Sequence, residues 1–270
     1  MSDIEMIYGT AWKEGETKDL VIAAVRAGFR AIDTANQKVH YREDYVGGAL
    51  VELAKEGIAR EALFLQSKYT FLRGHDHRVP YDPKATFETQ VRDSFQSSLE
   101  QLHTDYLDSY ILHGPNSGAG LNKADWEVWS TMEALMNEGK SKHIGVSNIH
   151  IHQLEELCKK GNIKPYFVQN RCYANQGWDQ GVREFCSKND IVYQGFSLLT
   201  ANPHVLQNRV TKEIAHKLDA TPQQVIFKFC VDIGILPLTG TTNPRHMKED
   251  LDIADIILSA KEQDAIFSIS

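Results

Sequence analysis

A chain of 270 residues with 42% hydrophobic content is long enough for one large α/β domain with a sizeable core. Its formal net charge of -7 and pI near 5.9 offer no general attraction to phosphate backbones or anionic lipid, which argues against nucleic-acid and membrane partners. The amino terminus, Met1-Ser2-Asp3-Ile4-Glu5, lacks a basic stretch before an apolar run, and Cys158, Cys172, Cys186 and Cys230 form no CxxC pair, so a cytoplasmic protein with reduced thiols is expected.

In chain order, short apolar or β-branched runs alternate with longer amphipathic ones. "MIYGTAW" reads as a strand and "TKDLVIAAVRAG" as a helix; "FRAIDTA" and "LFLQSKY" are the next strands, followed by the helical "FETQVRDSFQSSLEQLH". "YLDSYILHG" precedes "ADWEVWSTMEALMNEGK", and "HIGVSN" precedes "IHQLEELCKKG". "YFVQNRCY", "IVYQGFS" and "ILPLTG" complete eight strands, with "ATPQQVIFKFCVDIG" a helix capped by Thr221 and opened by Pro222. The loop-forming stretches "RGHDHRVPYDPK" and "PNSGAGLNK" are the expected excursions.

Eight strands alternating with helices predict a single-domain (β/α)8 TIM barrel, since right-handed crossovers between parallel strands close at this count. The alternative is an open doubly wound sheet, but its GxGxxG fingerprint is missing: "YGTAWKEGE" has the wrong spacing. In a barrel the carboxyl ends of the strands meet at one mouth. That rule selects Asp33, Lys68, His113, Ser147, Asn148, Gln169 and Asn170, all polar residues after apolar runs. Singly, each is an ordinary turn, cap or salt-bridge residue. On successive strands of one barrel they point to a site.

Taken in order, "AIDTA", "SK", "DYLDSYILHGP", "GKSKHIGVSN", "VQN" and "LPLTGT" resemble the successive signatures of the aldo-keto reductase family over almost the whole chain. The resemblance implies the same barrel and reduction of aldehydes or ketones, including α-keto esters and α-keto amides, with NADPH; NADH is the alternative cofactor. It also implies a catalytic set of Asp33, Tyr41, Lys68 and His113. A carbonyl needs a hydride on carbon and a proton on oxygen, and a nicotinamide supplies only the hydride. A tyrosine would supply the proton, with Lys68 expected to lower its pKa, Asp33 to fix Lys68, and His113 to orient the carbonyl. The loop after the second strand is two residues longer than the family form. Counting back from Val46-Gly47 lands on His40, and matching the acidic residue lands on Tyr41, the preferred acid because the chemistry rests on a phenol. His40 and Trp12 are then expected to line the substrate side.

For the cofactor, the resemblance assigns the nicotinamide carboxamide to Ser147, Asn148 and Gln169, and the ring face to Phe196. Ser197, Leu198 and Leu199 would wrap the pyrophosphate. At the adenosine end, Leu238 stands where a lysine is common and His246 near where an arginine is, so Arg245 and Lys248 are the expected substitute cations and Thr239, Gly240 and Thr241 the expected phosphate contacts, with Glu249 and Asp250 for adenine. Both ends of the chain read as short against the family, which implies an open mouth. A monomer or weak homodimer acting on a small carbonyl compound, without a metal, is expected. Two rivals remain: a metal-dependent hydrolase using "GHDH" or "IHIH", and a cofactor-bound sensor or accessory subunit without turnover.

Overall fold

Period-2 alternation in short runs yields strands at all eight expected places. In the computed structural model, which describes residues 4–269, these are β1 (Ile7–Gly9), β2 (Ala31–Asp33), β3 (Phe64–Tyr69), β4 (Leu107–Leu112), β5 (Ser141–Ser147), β6 (Phe167–Arg171), β7 (Val192–Phe196) and β8 (Leu236–Thr239). Residues 1–3, on which the reading of no leader partly rests, lie outside the described residues. Every neighbouring pair is parallel, and β1 closes on β8 through Ile7 opposite Leu238, which makes the sheet a closed barrel rather than the open alternative.

The helices are α1 (Thr17–Ala27), α2 (Glu43–Lys55), α3 (Phe87–Leu102), α4 (Lys123–Asn137), α5 (Ile151–Lys160), α6 (Gln180–Lys188), α7 (Pro203–Gln207), α8 (Arg209–Lys217), α9 (Pro222–Asp232), α10 (Pro244–Leu251) and α11 (Ala260–Phe267). Local chemistry sets several ends. Thr86 accepts from the Thr89 amide to start α3, and Thr221 forms a capping box with Gln224 ahead of Pro222 in α9. Among the described residues, no helix is long and apolar enough to cross a membrane.

The main core lies between barrel and helices, where Val46, Val91, Phe95, Tyr110 and Trp129 are buried. Helix α2 approaches α3 so closely that a Cβ on Gly47 would lie 1.9 Å from the Gln101 carbonyl oxygen, so only glycine fits there. Inside the barrel, alternate residues build layers. Ile7, Ala31, Phe64, Ile111, Phe167 and Leu238 form an apolar floor. Above it, Asp33, Gln66, Gln169 and Gln194 form a buried polar layer that supports the mouth.

Candidate active site

β3 sends Phe64, Gln66 and Lys68 inward at every second position, so a lysine reaches the top of the barrel fully buried. A buried ammonium requires a partner, and Lys68 Nζ donates to both carboxylate oxygens of Asp33 at 2.7 and 2.6 Å and to the Thr34 carbonyl at 2.8 Å. Burial lowers the Lys68 pKa, opposed by the charges of Asp33 and Glu43. Asp33 also accepts from Gln66 at 2.7 Å and from Gln169 at 3.0 Å, and Gln194 links both amides. The ion pair is thus held in a hydrogen-bonded frame that spans four strands.

Tyr41 is half-buried in the loop ahead of α2, with Lys68 Nζ 5.1 Å from its ring centroid and the His113 ring edge-on at 6.0 Å. Among the described residues its hydroxyl has no hydrogen-bond partner, and it lines the cavity. The expectation that Lys68 would lower the phenol pKa is not met. Burial, then the charge of Asp33, pushes it well above the usual value, because the ammonium protons are committed to Asp33 and Thr34. A phenol so placed stays protonated at neutral pH. His40 also lines the cavity, its ring tilted against that of Trp12 at 3.7 Å between centroids, and Trp12 is 70% exposed. Tyr45, on α2, is covered by the Arg42 guanidinium.

His113 follows β4, and its Nδ1 lies 2.7 Å from the Thr70 hydroxyl. Burial, then the charges of Lys68, His40 and His75, lowers its pKa to about 3, so the imidazole is neutral at physiological pH. When the Thr70 hydroxyl donates to Nδ1, Nε2 carries the proton and becomes a donor.

A cavity of about 1030 Å³ opens at this mouth. Its wall includes the expected site residues except Asn170, Lys248 and the enclosed Lys68. On one side, Asn148 adopts a left-handed backbone (φ 52) and donates to the His113 carbonyl at 2.8 Å and to the Ser147 hydroxyl at 3.1 Å. Its Oδ1 and the Oε1 of Gln169 form no hydrogen bond among the described residues, which leaves two acceptors suited to a primary amide. Asn148 does not cap α5; His150 does. Asn170 is structural, its side chain bonding Ile149 and Asp179.

Past Phe196, the chain turns through Ser197, also left-handed (φ 58), then runs through Leu198 and Leu199 along the wall. Across the cavity stand Leu238, Gly240 and Thr241, then α10 with His246 and with Arg245 paired to Glu249 at 3.3 Å. Asp250 is less available than expected: it accepts from the Thr239 hydroxyl at 2.7 Å, and burial raises its pKa to about 6.

Several functional neighbours escaped sequence reading. Lys13 is buried in the wall, donates to the Gly240 carbonyl at 2.7 Å, and has its pKa lowered to about 8 by burial. Its position directly after "MIYGTAW", the run read as the first strand, was the available signal. Thr70 lies two residues beyond Lys68, and Gln66 two before it, so period 2 identified their side of the strand but not their partners. The histidine stretches separate: His75 bonds the Thr70 carbonyl, and His77, His150 and His152 are exposed. Among the described residues no group of three or more His, Cys, Asp or Glu is arranged to hold a metal ion.

Comparison with known proteins agrees with this geometry. The model of the Aldo/keto reductase family matches residues 5–270. Glyoxal reductase of Bacillus subtilis is 31% identical over 94% of this chain and 84% of its own length. The NADPH-dependent alpha-keto amide reductase of Saccharomyces cerevisiae is 28% identical over 96% of this chain and 83% of its own. A crystal structure of an aldo/keto reductase from Brucella melitensis superposes with a TM-score of 0.83 at 29% identity, covering 98% of this chain and 93% of that one. A match of that extent, on a closed barrel with a buried Lys-Asp pair at its mouth, means that the chain belongs to the aldo/keto reductase family of oxidoreductases.

Proposed function

We propose that this chain is an NADPH-dependent carbonyl reductase in which Tyr41 donates the proton. The observation that carries the reading is the position of the Tyr41 ring, beside Lys68 and His113 and with its hydroxyl free in the cavity. A nicotinamide would supply the hydride. Gln169 Oε1 and Asn148 Oδ1 would accept from its carboxamide, and Phe196 would offer a flat face. Neutral His113 donates from Nε2 to the substrate oxygen and aims the carbonyl at Tyr41. As negative charge develops on that oxygen, the phenol transfers its proton to it. The high pKa of Tyr41 keeps the donor loaded until that moment.

Thr241, ahead of α10, and Arg245 and His246, in its first turn, are the groups suited to a ribose 2′-phosphate, which favours NADPH over NADH. The substrates are small aldehydes and ketones, with α-keto esters and α-keto amides in range, and the protein acts as a cytoplasmic monomer or weak homodimer. The test follows NADPH oxidation with a panel of such compounds. Tyr41→Phe is expected to lower turnover by roughly 10²–10⁴-fold while NADPH still quenches protein fluorescence. Near wild-type turnover in that variant refutes the role of Tyr41, and equal or better efficiency with NADH refutes the phosphate pocket. NADPH binding without oxidation by any carbonyl compound supports a sensor instead.

A further inference from the structure

We infer that the site selects carbonyl compounds bearing an anionic group, and that Arg73 is the residue that selects them; this rests on the carbonyl-reductase reading above. Arg73 sits in the short turn Leu72–Gly74, three residues beyond the Thr70 that touches His113, and it lines the same cavity as Tyr41 and His113. Its guanidinium makes one hydrogen bond, from Nη2 to the Pro115 carbonyl at 2.5 Å. Among the described residues no carboxylate lies within 4.0 Å of it. Asp125 senses the charge from further away, but its two oxygens accept from the Asn116 and Asn122 amides at 2.5 and 2.9 Å.

The other cations of the cavity are placed differently. Lys13 is bonded to the Gly240 carbonyl, Arg245 is paired with Glu249, and Arg171 lies over the Tyr173 ring beyond Gln169. His113 is neutral. Among the described residues, Arg73 is therefore the free positive charge on the β3 side of the mouth, where the reacting oxygen must sit to reach Tyr41. A guanidinium carries five N–H donors in a planar fork that fits a carboxylate in bidentate fashion, and the Pro115 contact leaves most of that fork open. The chain as a whole is acidic, at -7, and repels anions at long range. A local unpaired arginine offsets this where the substrate binds.

The test compares 4-oxobutanoate and 5-oxopentanoate with their methyl esters, as paired aldehydes of two lengths, in the wild type, Arg73→Leu and Arg73→Lys. For at least one length, wild-type kcat/KM is expected to be roughly tenfold higher for the acid than for the ester, the size expected of a charge-assisted hydrogen bond. Arg73→Leu should remove that gap through the KM of the acid and leave the ester unchanged, Arg73→Lys should keep part of it, and added salt should narrow it. Acids and esters turned over equally by the wild type overturn the inference while leaving the reductase reading intact. Equal losses for acid and ester in Arg73→Leu reduce Arg73 to a support for the Pro115 loop and also overturn it. If neither acid nor ester is reduced, the reductase reading falls as well.

Discussion

Asp33→Asn removes one charge from the pair at the centre of the site and changes almost no volume. Asp33 is 3% exposed and Lys68 fully buried, so solvent cannot stabilise the ammonium left behind. Breaking such a pair costs about 3–5 kcal/mol, against about 0–1 kcal/mol for an exposed pair. The upper part of that range applies here. Oδ1 accepts from Lys68, Gln66 and Gln169, so an asparagine keeps its oxygen there and turns its amide nitrogen, a donor, toward the ammonium. Lys68, whose pKa burial already lowers, then also loses the charge that most opposes that lowering. Urea unfolding at pH 7 should show a loss of about 4 kcal/mol, close to three decades in the unfolding equilibrium. Asp33→Asn combined with Lys68→Met should recover much of the stability but no carbonyl reduction. A loss below about 1 kcal/mol in the single variant would show that the pair is not isolated from solvent and would refute this account.

Glu43, in the first turn of α2, is buried against Ser98, which donates at 2.9 Å, and Ser67; burial raises its pKa from 4.5 to about 7, against the lowering charge of Lys68 and with Asp44 adding to the rise. Between those pH values the folded chain holds a proton that the unfolded chain has released, so this group's contribution to stability declines as pH rises through the window and levels off above about 7. Urea midpoints at pH 5 and pH 8 should fall less in Glu43→Gln than in the wild type; identical falls would mean that Glu43 does not titrate there. Gly47→Ala should cost about 1–3 kcal/mol through its clash with the Gln101 carbonyl, whereas Gly48→Ala, whose Cβ meets only Lys18 at 3.6 Å, should be nearly neutral in the same measurement.

Strand positions, the barrel and the residues at strand ends were legible because they depend on local alternation and on one rule about where strands point. The places of His40 and Tyr41 were not, because the longer loop offered two alignments and only the folded backbone sets the Tyr41 ring beside Lys68 and the His40 ring against Trp12. The direction of the Tyr41 pKa was missed for a related reason. Proximity to Lys68 was readable, but not that Asp33 and Thr34 would occupy the ammonium. Gln66 and Gln194 meet across the barrel, 128 residues apart in sequence, and no spacing signals such a contact. The same applies to Asp250, which looked free for a ligand until Thr239 was seen to hold it.

The alternation along β3 also bears on how the barrel assembles. Phe64, Gln66 and Lys68 face inward, while Leu65, Ser67 and Tyr69 face the helices, where Ser67 bonds Glu43 and Tyr69 stacks on Tyr81. A slip of one residue would exchange these sets, stranding the Lys68 ammonium in the apolar layer and presenting Ser67 to Asp33. Misaligned β3 is therefore penalised by an unpaired charge as well as by lost apolar contacts, so the ion pair adds to the energetic preference for the native register. An insertion or deletion within β3 breaks both checks at once, whereas the loop that carries Tyr41 lies outside the ladder and can vary in length without shifting any strand.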